Sequence, residues 1–327
     1  MRAIRWGILA TGGIATKFTE DLRLIPDAIA VAVASRTVDG ATRFAEAHGI
    51  ERAYGSWQAL ADDPDVDIVY VGTPHVAHYD AAKLMLEHGK AVLCEKPLTL
   101  NARQAEELVA LARVQQVFFA EAMWMRTMPA MRRVTELVRS GAIGEVGFVS
   151  ADFSFQAAAD PAHRLRNPAL GGGALLDLGV YPISLAQMVL GDPSAVRGSA
   201  RLTPEGVDET TGVLLSYPNG ATATATCSIA TVGPTTATIA GSSGMIVLPA
   251  GFHHAQHLTW HRLGADEREP FSFEGNGLRF QAIEAIRCMR EGLTESPLLP
   301  LDDTLTVMRT MDEVRRQVGV VYPGEEA

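Results

Sequence analysis

Three cysteines in 327 residues, Cys94, Cys227 and Cys288, are too few and too far apart for a disulfide framework or a zinc site. They read as buried thiols of a reducing compartment. No apolar run approaches the roughly 20 residues of a membrane span. No Lys/Arg-rich stripe stands out against a formal net charge of −10, so nucleic acid is a poor partner and no membrane is expected. The first strand begins almost at the N-terminus and leaves no room for a signal peptide, so the expected location is cytoplasmic. What is present is ordinary for a soluble globular chain, 47% hydrophobic and 20% charged. Its length allows two domains, each with its own core.

Ile4 to Leu9 reads as a short apolar strand running into a turn of small residues, Ala10 to Ala15, with a helix starting near Ile14. Strand, tight turn and helix start are the geometry that sets free backbone N–H groups against a pyrophosphate. The usual G-x-G-x-x-G/A fingerprint appears as Ala10-x-Gly12-x-x-Ala15: the first glycine is replaced and Gly12 is kept. Strand-like runs follow at Ile29–Ala34, Asp67–Gly72, Ala91–Cys94 and Val117–Ala120, separated by helical patterns. Near-continuous apolar strands alternating with helices predict a doubly wound parallel sheet, an α/β Rossmann domain. Ligands in such sheets bind beyond the carboxyl ends of the strands.

The residues at those ends carry the chemistry. The first turn offers Thr11, Gly12, Gly13 and Ile14 to a dinucleotide. After the second strand stand Ser35 and Arg36, where an enzyme selecting NAD would place an acid for the ribose 2′-hydroxyl. A hydroxyl and a guanidinium suit a 2′-phosphate, which favours NADP over NAD. Thr73 and Pro74 end the third strand where the nicotinamide half would lie. His78, at the following helix start, reads as a structural histidine or a ligand contact. Glu95, Lys96 and Pro97 put a charged pair at the edge of the fourth strand, and a Lys–Pro bond can be cis. The fifth strand ends in Glu121, Trp124 and Arg126. Farther on, Leu170-Gly-Gly-Gly-Ala-Leu-Leu-Asp177-Leu-Gly-Val-Tyr181-Pro182 is a glycine-rich approach to a helix that would set Asp177 and Tyr181 one turn apart.

These signatures resemble the glucose–fructose oxidoreductase / inositol dehydrogenase superfamily over nearly the whole chain. The carriers are the A-T-G-G-I-A turn, Thr73-Pro74, Glu95-Lys96-Pro97 and G-G-G-A-L-x-D-x-G-x-Y-P. Many members have His where this chain has Tyr181. The Tyr form, Glu121-Ala-x-Trp-x-Arg and the ending Met311-Asp-Glu-Val-Arg-Arg-Gln-x-Gly-x-x-Tyr-Pro are most similar to the dimeric dihydrodiol dehydrogenase / D-xylose 1-dehydrogenase branch. The resemblance implies an NADP-dependent dehydrogenase of a sugar or related diol, with an NADP-binding domain over residues 1–122. It implies a substrate and dimerisation domain over 123–327, whose last helix (about 302–319) packs back on the first domain. The mechanism expected is hydride transfer to nicotinamide, with Tyr181 as base and Lys96 as its electrostatic partner. Asp177 would orient Lys96 or a substrate hydroxyl. Trp124 would form an apolar wall, Arg126 or Arg164 a polar clamp, and Phe155 a further substrate contact. The alternatives are an inactive NADP-binding sensor of the galactose-repressor kind, which has no need of Lys96 and Tyr181, and a sugar oxidoreductase that never releases NADP.

In the second half, strand-like runs at Val146–Phe155, Thr211–Tyr217, Ala221–Ser228, Thr236–Ile239, Met245–Leu248 and Leu258–Arg262 do not alternate with helices, and the first of them alternates so that Val146, Phe148, Ser150, Asp152 and Ser154 share one face. They predict an open, mostly antiparallel sheet in an α+β domain. The run Ala221-Thr-Ala-Thr-Ala-Thr-Cys has one face of alanines, which suits close packing against a second copy, so a homodimer or higher homo-oligomer is expected. Asp302 and Asp303 read as caps of the last helix. His253, His254, His257 and His261 invite a metal, but the Thr259-Trp260 alternation reads as strand and no thiol joins them, so no metal is expected. Met123, Met125, Met128 and Met131 read as adaptable core filler.

Overall fold

Short runs of Ile, Val, Leu and Ala become the parallel strands of a first unit in the computed structural model, which describes residues 2–262 and 264–325. They are β1 (Ile4–Leu9), β2 (Ala28–Ala34), β3 (Arg52–Tyr54), β4 (Ile68–Val71), β5 (Ala91–Glu95) and β6 (Phe119–Ala122). Among the described residues they are ordered β3-β2-β1-β4-β5-β6, with every neighbouring pair parallel. β4 and β5 are buried along their whole length, as a sheet covered on both faces requires. Around them lie α1 (Gly13–Leu22), α2 (Val38–His48), α3 (Trp57–Ala61), α4 (His78–Glu87) and α5 (Ala102–Gln115). The strand order reverses between β1 and β4, the point at which such sheets open a ligand crevice.

Local signals fix several ends. Thr37 accepts from Gly40 N at 3.2 Å and starts α2, and Ser56 does the same for α3 through Ala59 N. Each cap contributes about 1 kcal/mol. Gly49, at φ 62, ends α2 in the left-handed conformation that glycine adopts at little cost. Beneath the sheet Phe18 of α1 stacks on Tyr70 of β4, with centroids 3.7 Å apart, and Trp6 tilts against the same phenyl ring.

The second unit is built on an eight-stranded sheet among the described residues. It comprises β7 (Val146–Ser154), β8 (Ala195–Leu202), β9 (Asp208–Ser216), β10 (Thr222–Ser228), β11 (Ala237–Gly241), β12 (Gly244–Leu248), β13 (His257–Arg262) and β14 (Ala265–Pro270), ordered β14-β13-β12-β11-β7-β10-β9-β8. Among the described residues only the β7–β10 pair is parallel, so the sheet is mixed and mostly antiparallel. Helices α6 (Pro129–Arg139) and α7 (Val180–Leu190) belong to this unit. Two of its strands, β8 and β14, have no counterpart among the runs read from the sequence.

Three sequence expectations change. The alanine face of β10 is not open: Ala223, Ala225 and Cys227 are buried under α7 and the turn before it. A Cβ on Gly179 would lie 3.0 Å from Cys227 Sγ, which explains the small side chains there. The exposed face is the threonine face, shared with Phe148, Leu214 and Met245. On β7 a register shift against β11 buries Val146 while exposing Phe148, so these two do not share a face. Asp302 and Asp303 sit inside the first helical turn rather than before it.

The domain boundary also shifts. The first unit comprises Met1–Thr99, Arg103–Trp124 and Glu274–Leu301; the second comprises Leu100–Ala102, Met125–Phe273 and Asp302–Ala327. Helix α8 (Arg279–Arg290), placed in the second domain on sequence, therefore belongs with the Rossmann sheet. Leu278, Ala282, Ala285 and Ile286 join the core around Trp6 and Phe18. The Asp21 carboxylate of α1 accepts from Asn276 N at 2.7 Å and from Arg279 N at 3.1 Å. The closing helix α9 (Leu301–Val318), expected to pack back on the first domain, is counted with the second unit from Asp302 onward. There the Gln317 amide bonds both Gly198 N and Val196 O of β8. Finally, the helical stretch Pro168–Leu190 is long and apolar enough to cross a membrane, contrary to the sequence reading, yet 83% of its apolar window is buried inside the protein. It is the core helix of the second unit.

Candidate active site

The first unit holds the nucleotide end. β1 runs into Ala10 and α1 starts at Gly13, with Gly12 as an N-cap that carries no side-chain hydrogen bond. A Cβ on Gly12 or Gly13 would meet nothing within 4 Å. Among the described residues no side chain caps the first N–H groups of α1, which fits a pyrophosphate. Ile14 is 36% exposed at the same turn. Thr11 Oγ1 lies 3.4 Å from Ser35 Oγ, which joins this turn to the end of β2. Arg36 is exposed and, among the described residues, makes no ion pair. Thr73, just past the end of β4, is buried, and its Oγ1 has no hydrogen-bond partner among the described residues. A buried orphan hydroxyl at a strand's carboxyl end fits a polar group of a ligand. Pro74 beside it is exposed. These residues suit a dinucleotide from turn to strand end.

Ala10 takes the place of the fingerprint's first glycine and adopts φ 124, a value L-residues rarely reach. Such a conformation costs about 1–3 kcal/mol, and glycine's extra freedom in the unfolded chain gives back less than about 1 kcal/mol. Ala10→Gly should therefore stabilise the protein by about 1 kcal/mol. A rise in the urea midpoint checks this; a fall would mean that the turn relaxes around the alanine.

Lys96 is held by its neighbours on both sides. Glu95 Oε2 accepts from Lys96 N at 3.3 Å, while Glu95 Oε1 accepts from the Tyr70 hydroxyl at 2.6 Å. Glu121 Oε1 accepts from Leu98 N at 3.1 Å. The Lys96–Pro97 peptide between them is cis. His78 is fully buried, with Nδ1 2.8 Å from Pro97 O and Nε2 2.9 Å from Thr73 O. Burial, and then His75, push its pKa down to about 4, so the ring is neutral and donates to one of these carbonyls at a time. The His78 side chain therefore bonds backbone rather than ligand, and it ties the end of β4 to the loop after β5. Trp124 packs partly buried against the first unit's core.

Arg126 is in the second unit and is not a substrate clamp. It is 3% exposed, its Nε bonds Ser184 Oγ at 3.1 Å, and its Nη1 pairs with Asp303 at 2.8 Å. Its Nη2 bonds Ser184 O at 3.1 Å and also the Gln187 side chain. Met123, Met125, Met128 and Met131 are all buried.

The glycine-rich approach ends in a turn of π-helix over Leu175–Gly179, followed by α7. π turns occur frequently at functional sites. Asp177 is in this turn and Tyr181 just beyond it, both buried. Asp177 Oδ2 takes Arg164 Nη2 at 3.0 Å; the arginine is 57% exposed and the acid 7%. Asp177 thus orients Arg164, a partner not foreseen for it. Phe155 is 38% exposed just after β7. Tyr181 packs against Phe153 and His253, with ring centroids at 5.4 and 5.1 Å.

Two supporting residues escaped sequence reasoning. Buried Asp208 accepts from Leu175 N at 2.7 Å and Thr211 Oγ1 at 2.6 Å, and burial pushes its carboxyl above the usual range. Its Oδ1 would lie 2.3 Å from a Cβ on Gly173, whose φ is 117, so only glycine fits. The Tyr322 hydroxyl bonds Gly172 O at 2.6 Å. The signal for Tyr322 was the Tyr-Pro of the C-terminal motif; Asp208 had none.

Comparisons with known proteins agree with this geometry. Residues 4–122 match the model described as an oxidoreductase family with an NAD-binding Rossmann fold, and 131–247 match the GFO/IDH/MocA C-terminal domain. The trans-1,2-dihydrobenzene-1,2-diol dehydrogenase of Bos taurus is 37% identical, covering 99% of each chain. A 3-ketoreductase of Actinomadura kijaniata, solved with NADP and TDP-benzene, is 29% identical with a TM-score of 0.84, covering 97% of this chain and 98% of that one. The aldose-aldose oxidoreductase of Caulobacter crescentus, solved with glycerol, is 26% identical with a TM-score of 0.88 and the same coverage. The chain belongs to the GFO/IDH/MocA oxidoreductase family, in the branch of the dihydrodiol dehydrogenases, and is an NAD(P)-dependent dehydrogenase of CH–OH groups.

Proposed function

We propose that this dehydrogenase prefers NADP and acts on a hydroxyl or carbonyl of an aldose or cyclic diol. The nicotinamide supplies the hydride acceptor when bound. Tyr181 takes the hydroxyl proton, Lys96 favours the phenolate, and the Arg164–Asp177 pair meets further substrate hydroxyls. The observation that carries this reading is a buried phenol just past a π turn, packed against aromatic rings and close in sequence to an ion pair made from that turn. The relatives' names, a diol dehydrogenase and sugar oxidoreductases, support the substrate class. A panel of aldoses and trans-dihydrodiols with NADP⁺, followed by the absorbance of the reduced cofactor, tests it. Turnover of none of them would refute the substrate class.

The NADP preference rests on Arg36, exposed beside Ser35 and without an acid partner among the described residues. Arg36→Ala should raise KM for NADP⁺ by roughly ten- to a hundredfold, the scale of a charge-assisted contact of about 1.5–3 kcal/mol. KM for NAD⁺ should barely move. Equal losses with both cofactors would show that Arg36 does not read the phosphate.

The exposed threonine face with Phe148, Leu214 and Met245 suits a second copy of this chain better than the alanine face does, and we take the working form to be a cytoplasmic homodimer. Light scattering that gave a monomer at micromolar concentration would count against this.

A further inference from the structure

The segment that follows α9 reaches back to the backbone just ahead of the π turn that carries Asp177. All the residues involved are in the second unit. The glycine-rich approach to that turn is held by its surroundings. Gly173 N donates to Leu165 O at 2.8 Å. A Cβ on Gly172 would lie 2.8 Å from both Arg164 O and Leu165 O, so the two backbone stretches are in direct contact. The Tyr322 hydroxyl donates to Gly172 O at 2.6 Å, and Asp208 Oδ2 accepts from Leu175 N at 2.7 Å. Tyr322 is 1% exposed and is itself braced. The Arg315 guanidinium lies over its ring, 5.0 Å from the centroid. Arg315 pairs with Asp312 and Glu325, each at 2.8 Å. Glu325 Oε2 accepts from Tyr322 N at 3.0 Å. The same two acids reach the segment that follows the Lys96 loop: Glu325 Oε1 accepts from Asn101 Nδ2 and Asp312 Oδ2 from Ala102 N, both at 2.7 Å.

We infer that Tyr322, with Arg315 and Glu325 behind it, is a positioning residue for the dehydrogenase reaction, setting the turn that carries Asp177 and leads into Tyr181. The inference rests on Tyr181 being the base. π-helical backbone is rare, and an uncommon conformation persists where its surroundings over-determine it. Here the hold is applied at Gly172 O and at Leu175 N, the entry to the π turn. Leu165, bonded by Gly173, is next to Arg164, so the same hold fixes the backbone beside the Arg164–Asp177 pair. Burial, and then Asp208, raise the Tyr322 hydroxyl above its ordinary value, so it stays a donor throughout the working pH range. A base must be within hydrogen-bond reach of the proton it takes, and a misplacement of about 1 Å can cost about 10²-fold in rate. The brace therefore acts on the chemical step and not on the NADP-binding turn, which lies in the first unit.

The test is Tyr322→Phe, which keeps the ring under Arg315 and removes only the bond to Gly172 O. It should lower kcat for oxidation by about tenfold per folded enzyme, less than the loss of the base itself, with KM for NADP⁺ unchanged. The rate-controlling pKa should also move up, toward the ~10 of free tyrosine, because a displaced Tyr181 loses part of what favours its phenolate. A merely structural phenol would lower the urea midpoint and leave the kcat and pH profile of the folded enzyme at wild-type values, and that result would overturn the inference. If Tyr322→Phe does not fold, Glu325→Gln decides, since it loosens the support behind the ring without touching Gly172. It should lower kcat roughly two- to threefold with the same upward shift, the scale of one weakened charge-assisted contact. A wild-type kcat and pH profile there would overturn the inference. Tyr181→Phe separates the brace from the reading beneath it. An active Tyr181→Phe would remove the base itself, whereas an inactive one beside an unaltered Tyr322→Phe would overturn the brace alone.

Discussion

Tyr181→Phe is expected to cut kcat by about 10²–10⁴-fold, the usual share of acid–base catalysis, while NADP⁺ still binds. The substitution keeps the ring and therefore its packing on Phe153 and His253. Only the hydroxyl is lost, so a change in folding stability should be small. A free phenol titrates near ~10 and is almost wholly protonated at neutral pH. An ammonium that favours the phenolate can lower that value by roughly 1–3 units, so the oxidation rate should rise with pH and level off below the pKa of free tyrosine. Lys96→Met should then move the rate-controlling pKa upward as well as slow the reaction. The backbone N–H groups of Lys96 and Leu98 stay bonded to Glu95 and Glu121 in that variant, so the loop should keep its course. Stopped-flow oxidation across a pH series reads both effects. A Tyr181→Phe enzyme that is folded, binds NADP⁺ and turns over near the wild-type rate would transfer the base role to Asp177.

Arg126→Met should destabilise the protein by about 3 kcal/mol, the scale of breaking a buried ion pair whose acid is partly exposed. Methionine matches the length of the side chain and fills most of its space. The cost comes from what is left behind: Ser184 O and the Gln187 side chain lose their buried donor, and Asp303, 31% exposed, loses its cation. Urea unfolding followed by fluorescence measures this. KM for substrate should change less than about twofold in the folded enzyme, because the guanidinium is spent on α7 and the start of α9. A tenfold rise in substrate KM with an unchanged urea midpoint would instead restore Arg126 to the polar clamp that its sequence position suggested.

Arg126 shows where sequence reasoning stops. Its place just after β6 was legible, but the direction of its guanidinium is set by residues near 184 and 303. The strands of the Rossmann sheet were legible because their apolar runs are long enough to stand out. β3 is only three residues, Arg52–Tyr54, held by Asp63 through Arg52 and the Tyr54 hydroxyl rather than by an apolar face, so no periodicity marks it. β14 reads Ala-Asp-Glu-Arg-Glu-Pro and has no apolar pattern at all. The cofactor turn and the loop around Lys96 were readable because a local motif encodes them. What holds the Lys96 loop was not, since His78 and Glu121 reach Pro97 O and Leu98 N through tertiary packing, and Asp208 reaches the glycine-rich turn at Leu175 N in the same way. The histidine group was read from its neighbours Thr259 and Trp260, which are indeed in a strand, whereas His253 precedes that strand and turns toward Tyr181.

The two margins of the eight-stranded sheet have a consequence for how such molecules can add to one another. At β14, Asp266, Glu267, Arg268 and Glu269 follow one another, so charge projects on both sides of the outermost strand. At β8 the Gln317 side chain occupies Gly198 N and Val196 O as a neighbouring strand's backbone would. An incoming strand would have to desolvate the first margin or displace an amide from the second. Lateral growth, the step that turns a sheet into an open-ended fibre, is thus obstructed at both ends. The remaining approach is face to face, and a flat face that meets its own copy about a two-fold axis is used up in a single encounter.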